Sequence, residues 1–473
     1  MTAPTHSASP ARPARNAIPG FWTGAATTAI TLLLALPSLG ATAPVSWHRE
    51  VTPILKRSCN GCHNPNKMKG QVDTSTYAGL LKAGKHGPNF VAGDSAKSLL
   101  VQEISGPKPE MPEEGDPLSA AEVALISRWI QEGAKDDTPA EALSTRLNAL
   151  PTYTVPSVTT ALAVSPDGRW LAISGYHEAF LVDAQTLSLQ GRLLGESPRI
   201  ESLAFSPDSQ HLAVAAGAPA RFGEIQVWNV AGTNQVHAWR TGTDSTYGVS
   251  WSPDGRQLAF GGADKTVRVL ALPDGKETMK FENHSDWTLR TAWNVDGRRL
   301  LSGSRDRALK LINPADGQFI DDINKLLEPV TSMTRHPKED LALYGGADGG
   351  VRLYRMKENQ ERTAGNNDVN LVREFERQPG AVHSVAFSPD GSRIAVGGVG
   401  GEVRLYETAD GKRVSTLGGH GGAVFALGFT PDGQRLLTGG FDGLIRVFNP
   451  ADGSLVAVFL PVPLSSSPLT AAR

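Results

Sequence analysis

Cysteine is almost absent from this chain. Two occur among 473 residues, too few for a disulfide scaffold or a four-cysteine zinc site. Charge is also sparse. Charged residues make up 20% of the sequence, below the usual ~25%. The formal net charge is −2, and without a basic excess nucleic acid is not expected as the main partner. Disorder is excluded from the other side, because 40% of the residues are hydrophobic. Glycine and proline are plentiful. The chain has 50 glycines and 32 prolines, roughly one residue in six against an expected ~12%. That excess disfavours a coiled coil or helix bundle and calls for many tight turns. The length sets a prior of two or three domains.

Only the N-terminus carries a long uncharged stretch. Arg12 and Arg15 are the charged side chains of the first 47 residues. After them come the apolar run Ala29–Leu36 and the small-residue site Ala41-Thr42-Ala43. A basic start, a short apolar core and a small-residue site read as a secretory signal over residues 1–43, cleaved after Ala43. The alternative is a retained anchor helix. The stretch is long enough to span a bilayer, but its apolar centre is short and Pro37 interrupts it. Cleavage would leave a periplasmic or otherwise exported protein with no stable membrane span.

Residues 44–137 read as a small helical domain. A short helix over Trp47–Ser58, with Val51, Ile54 and Leu55 on one face, leads into Cys59-Asn60-Gly61-Cys62-His63. Both cysteines lie in this C-x-x-C-H string, the pattern of covalent c-type haem attachment. Two thiols at this spacing can each add to one haem vinyl group, and His63 can then present an imidazole nitrogen to iron. A thioredoxin-like dithiol would want a βαβ context. A zinc site would want two further soft ligands. Neither is visible. The sequence therefore predicts one covalently attached haem c, with Cys59 and Cys62 as attachment points and His63 as proximal iron ligand.

The distal ligand is expected at Met111, in the proline-rich stretch Pro107–Glu113. His86 competes with it, an open sixth position is the third option, and Met68 lies too near His63 to reach the far face. Met/His ligation suits electron transfer, whereas an open position suits small-molecule chemistry. Ser119-Ala120-Ala121-Glu122 reads as a capping box. It opens a helix with Val123, Leu125, Ile126, Trp129 and Ile130 as its apolar stripe and Gly133 as its stop. Trp129 is expected to be core packing.

The order of helix, CNGCH, Met-Pro loop and PLSAAEVALISRWIQEGA resembles the c-type cytochrome domain of planctomycete-like exported proteins. The resemblance covers about ninety residues. It implies a monohaem electron-transfer domain, with His63 and Met111 as axial ligands and Cys59 and Cys62 as attachment points. His86 has no counterpart in the family pattern.

Residues 138–154 read as a linker, and from 155 to 463 one unit recurs. Its marker is a Ser-Pro-Asp-Gly turn, seen at Ser165, Ser206, Ser252, Ser388 and Thr430, with degenerate copies at Asn294 and His336. The seven markers step by 41, 46, 42, 42, 52 and 42 residues. Each unit reads as four strands, as in Val382–Phe387, Arg435–Thr438, Ile445–Phe448 and Leu455–Leu460. Aromatics recur in the third strand at Trp228, Tyr354, Tyr406 and Phe448. A period near 42 with four strands resembles WD-repeat proteins. The expected fold is thus multidomain: a small all-α cytochrome c-like domain, then an all-β seven-bladed propeller, then a tail over 464–473.

The likeness to WD repeats is loose in the name-giving dipeptide. Asn229, Asn313, Arg355, Glu407 and Asn449 stand where its Asp would be. The family's turn Asp matches Asp264, Asp306, Asp348 and Asp442, and Gly400 replaces it in the sixth unit. His284 and Asp306, like His420 and Asp442, are expected as buried structural pairs rather than catalytic dyads. Two segments break the period, Gly217–Gly223 and Lys357–Asn370, and the longer is the better docking loop. For closure of the propeller the sequence offers Leu455–Leu460 as last outer strand and Thr152–Val155 as competitor or linker, and does not decide between them.

Three functions follow. The first is an exported monohaem cytochrome that passes single electrons, its propeller docking an unidentified redox protein. The second is a propeller-containing haem oxidoreductase with a second, non-covalent cofactor, for which His177, His211, His237 and His383 are the unassigned histidines. The third is a scaffold whose haem is structural or redox-sensing.

Overall fold

The computed structural model describes residues 43–64, 67–138, 147, 149–325, 328–358 and 368–465. The expected signal therefore lies outside the described residues, apart from Ala43. So does residue range 359–367 of the long docking loop.

A helical part comes first. A π-helical turn, Trp47–Val51, runs directly into α1, Thr52–Ser58. Helices α2 (Tyr77–Leu81), α3 (Leu99–Ile104) and α4 (Ala120–Gln131) follow. The first three are short, so packing rather than propensity holds them. The capping box at α4 is complete: the Ser119 hydroxyl accepts from Glu122 N–H, and the Glu122 carboxylate reaches back to Ser119 N–H. Gly133 then takes φ +101, which a stop after α4 requires. The core is aromatic. Trp129 stacks on Trp47 at 5.0 Å, and Tyr77 and Phe90 close around it. Trp129 is 1% exposed and donates its indole N–H to Lys135 O. It packs the core, as the helical spacing predicts.

From residue 162 the described chain is β-structure, in six antiparallel sheets. Five have four strands, and the first has seven. The long strand Leu189–Phe205 accounts for the difference from four-stranded units. Its first half pairs with Tyr176–Asp183 and its second with His211–Ala218. Pro198 sits at the changeover, where no ladder N–H is required. Gly217–Gly223 is likewise less of a loop than expected. Its flanking strands run to Ala218 and restart at Phe222, leaving a tight turn with Ala220 at φ +55.

The turn markers explain themselves. In Ser165-Pro166-Asp167-Gly168 the Ser165 hydroxyl donates to Asp167 and accepts from Trp170 N–H. Gly168, at φ +73, returns its N–H to Ser165 O. The same bonds recur at Ser206, Ser252, Ser388 and Thr430. Asn294 makes the acceptor half with its amide oxygen. The third-strand aromatics Trp228, Tyr354, Tyr406 and Phe448 are all buried, Trp228 within the first sheet and the other three between sheets.

The innermost strands form a ring. Leu162–Val164 packs on the second half of Leu189–Phe205. Contacts then pass through Thr246–Trp251, Thr288–Trp293, Val330–Arg335, Val382–Phe387 and Val424–Phe429, which returns to Leu162–Val164. The seam is made by side chains and single bonds. Leu171, Ile173 and Phe180 of the first sheet share one core with Leu437, Ile445 and Val447 of the last. Leu455–Phe459 supplies the last outer strand. Tyr153 lies beside it as an anchor. Its hydroxyl donates to Glu178, and its carbonyl accepts from Ser465 N–H at 2.8 Å.

Candidate haem-attachment site

The C-x-x-C-H string continues the end of α1. Cys59 N–H bonds to Leu55 O, and both Cys62 and His63 N–H bond to Cys59 O. Helical winding brings Cys59 and Cys62 to one side, both as free half-buried thiols. Burial pushes the Cys59 thiol up to about 11, against the pull of Arg57. A redox dithiol needs the opposite, a stabilised thiolate. The string also follows a short helix, with no βαβ unit around it among the described residues, which counts against the thioredoxin-like alternative.

His63 is held at both ends. Its carbonyl accepts from Thr74 N–H and from the Thr74 hydroxyl. Thr74 is 3% exposed and also bonds Asn60. The imidazole Nδ1 lies 2.8 Å from Lys69 O. A carbonyl only accepts, so Nδ1 carries the proton and Nε2 keeps its lone pair. A ligand histidine is oriented in just this way, through the nitrogen that does not touch the metal.

Met111 sits between α3 and α4. Its N–H bonds to Glu103 O at 2.9 Å. It is half-buried and packs on the same apolar core as Cys59, Tyr77 and Phe90. Glu113, two residues on, is ion-paired with Lys69, the residue whose carbonyl holds His63. The segments carrying His63 and Met111 are thus tied to each other. The competing His86 and the discounted Met68 lie differently. His86 is exposed in the tight turn Gly84–Gly87, and Met68 is 40% exposed. Among the described residues, no three His, Cys, Asp or Glu side chains gather as a metal site.

Comparisons with known proteins cover both parts of the chain. Residues 59–115 match the planctomycete cytochrome C family. Residues 233–269, 275–313 and 411–449 match the WD domain, G-beta repeat. Residues 333–420 match the WD40 domain of anaphase-promoting complex subunit 4. The chain is also 29% identical to Protein groucho of Drosophila melanogaster over 120 residues, which is 25% of this chain and 16% of that protein. The chain thus combines a cytochrome c-like segment with WD40 repeats.

In the sheets, the two His–Asp pairs are structural. His284 bridges Asp306 at 2.8 Å and Ser302 at 2.7 Å, wholly buried. His420 is looser: it lies 3.5 Å from Asp442, while Arg446 meets its Nδ1 at 2.9 Å. Three of the four turn aspartates, Asp442 among them, show a device the sequence reading missed. Asp264–Arg268, Asp348–Arg352 and Asp442–Arg446 are all i,i+4 ion pairs across the same turn. The recurring Asp-x-x-x-Arg spacing was the available signal. Asn229, Asn313 and Asn449 accept backbone N–H groups of the next turn, the work an Asp would do. The unassigned histidines do not converge. His177, His211 and His237 lie on three strands of the first sheet, and His383 lies on an inner strand of another.

Proposed function

We propose that this chain is an exported monohaem c-type cytochrome that carries single electrons, with a WD-repeat propeller as its protein-docking platform. The observation that carries this reading is the Nδ1–H of His63 on Lys69 O, inside a C-x-x-C-H string. Cys59 and Cys62 would hold haem c by thioether bonds. His63 would present Nε2 to iron, and Met111 its thioether from the opposing loop. When bound, haem supplies a one-electron ferrous–ferric couple. The protein's own contribution is to fix the imidazole tautomer, to keep Met111 on a braced loop, and to wall the site with Tyr77, Phe90 and Trp129.

Thioether attachment takes place outside the cytoplasm, which agrees with the basic-then-apolar stretch of residues 1–43. Among the described residues no helix is long and apolar enough to cross a membrane. We read the six sheets as seven four-stranded blades, the first two sharing Leu189–Phe205. Such a disc offers a rigid face to a redox protein partner, and the segment 357–370, by its length, is the better docking candidate.

The test is an absorbance spectrum of the protein made in a host able to attach haem. One c-type haem per chain by pyridine adduct, with a weak near-infrared sulfur-to-iron band when oxidised, supports the reading. A high-spin haem would move it toward catalysis or sensing. No covalent haem would reduce the chain to a propeller scaffold.

A further inference from the structure

Each of the six sheets ends in an outer strand, whose free edge presents unpaired N–H and C=O groups. Proteins commonly blunt such an edge with charge. Five of the outer strands follow that rule. Arg240, Lys280, Asp322, Arg373 and Arg413 stand on Asn234–Gly242, Lys276–Phe281, Phe319–Asp322, Leu371–Glu374 and Arg413–Leu417, in that order. The sixth, Leu455–Phe459, reads Leu-Val-Ala-Val-Phe and carries no charged or polar side chain. It ends its sheet, with no strand beyond it among the described residues.

Its side chains are open as well. Leu455 is 53% exposed, Val456 55% and Val458 47%. The other outer strands expose large apolar side chains only singly, at Val236 and Val414. Ala457 and Phe459 pack on the core that the first and last sheets share. By the two-residue period, Val456 and Val458 lie on the opposite face. A β-bulge also blunts an edge. All six outer strands have one, so it does not set this strand apart.

The chemistry of the strand selects its partner. A charged strand would set unpaired charge against Val456 and Val458, which disfavours the other five outer strands of a second copy. The strand fits itself. Antiparallel pairing about Ala457, its middle residue, sets Val456 against Val458 and Leu455 against Phe459. Val456 and Val458 of both copies then form one apolar face, and the residue at the two-fold is small. Such a contact is isologous and closes at two copies. Pro461 and Pro463 follow the strand and confine pairing to it. The strand lies on the rim, at the far end of its sheet from the inner ring, so two copies meet edge to edge.

We propose that this chain forms a two-fold dimer by antiparallel pairing of Leu455–Phe459 with the same strand of a second copy. The contact is independent of haem attachment. Sedimentation velocity of the full chain, at rising micromolar concentrations, tests it. The wild type should pass from monomer to dimer mass. Val456→Lys and Val458→Glu, each made alone, should weaken self-association about tenfold or more. Both positions are exposed, so each variant should keep the wild-type circular dichroism. Mixing the two variants should restore the dimer, because the new lysine meets the new glutamate only in the pairing centred on Ala457. A wild type that stays monomeric, unchanged association in both variants, or no recovery on mixing overturns the proposal. Amides of 455–459 that are protected from exchange in a monomer, and lose that protection when residues 466–473 are removed, would assign the strand to the chain's own tail instead.

Discussion

Lys69 touches both sides of the candidate site: its carbonyl accepts from His63 Nδ1 at 2.8 Å, and its ammonium is paired with Glu113, two residues beyond Met111. The backbone half of this relationship is the one that matters chemically. The side-chain half is solvent-exposed on both partners and contributes little energy. Lys69→Ala should therefore leave the spectrum unchanged.

Met111→Ala should remove the near-infrared band of the oxidised protein and lower its reduction potential, because a thioether favours ferrous iron. His86→Ala should change neither. Absorbance and redox titration of both variants check this, and an unchanged Met111→Ala spectrum would refute the distal assignment. Cys59→Ala should leave haem attached by one bond at most, visible as a shifted pyridine-adduct band.

Trp129→Ala should cost about 3–5 kcal/mol, as large aromatic truncations in cores do. Trp47, Tyr77 and Phe90 would lose their shared partner. The loss should fall on the helical part alone. Calorimetry of the variant should show an early transition for the helices and an unmoved one for the sheets.

Acid should loosen the helical part through Glu122. A side-chain hydrogen bond from Arg57, then the Ser119 N–H and hydroxyl, hold this carboxyl at about 2, below its ordinary 4.5. The folded value is the lower one. The stabilisation is therefore complete above pH 4.5 and is lost as pH falls toward about 2. Arg57→Ala should raise the Glu122 midpoint toward 4.5, measured by NMR titration of the carboxyl carbon.

His284→Ala should destabilise the ring by about 1–3 kcal/mol, since it removes the buried imidazole that Ser302 and Asp306 share. Burial pushes Asp306 up, but the His284 hydrogen bond and charge outweigh it and hold the carboxyl at about 2. That stabilisation is also present above the ordinary 3.8 and lost as pH falls toward about 2. Denaturant midpoints at pH 7 and pH 3 should differ less in the variant than in the wild type. A change in the haem spectrum would contradict a purely structural role.

The turns were the most legible part of the sequence. A Ser-Pro-Asp-Gly marker specifies its own hydrogen bonds, so Val382–Phe387 and Ile445–Phe448 appear as strands at the residues the pattern indicates. The capping box was legible for the same reason, being local. Leu189–Phe205 was not, because strand continuity depends on which neighbours compete for its two edges. His63 Nδ1 on Lys69 O belongs to the same class, since no spacing rule says how a loop will return its carbonyl.

The meeting of Ser465 N–H with Tyr153 O brings the two ends of the β-structure together. Entry and exit of the chain coincide there, and every strand pairing lies between them. A segment with touching ends can be moved as a cassette, because a host loop need open by only a few ångströms to admit it. The β-structure of this protein is thus suited to transfer into another chain as one unit.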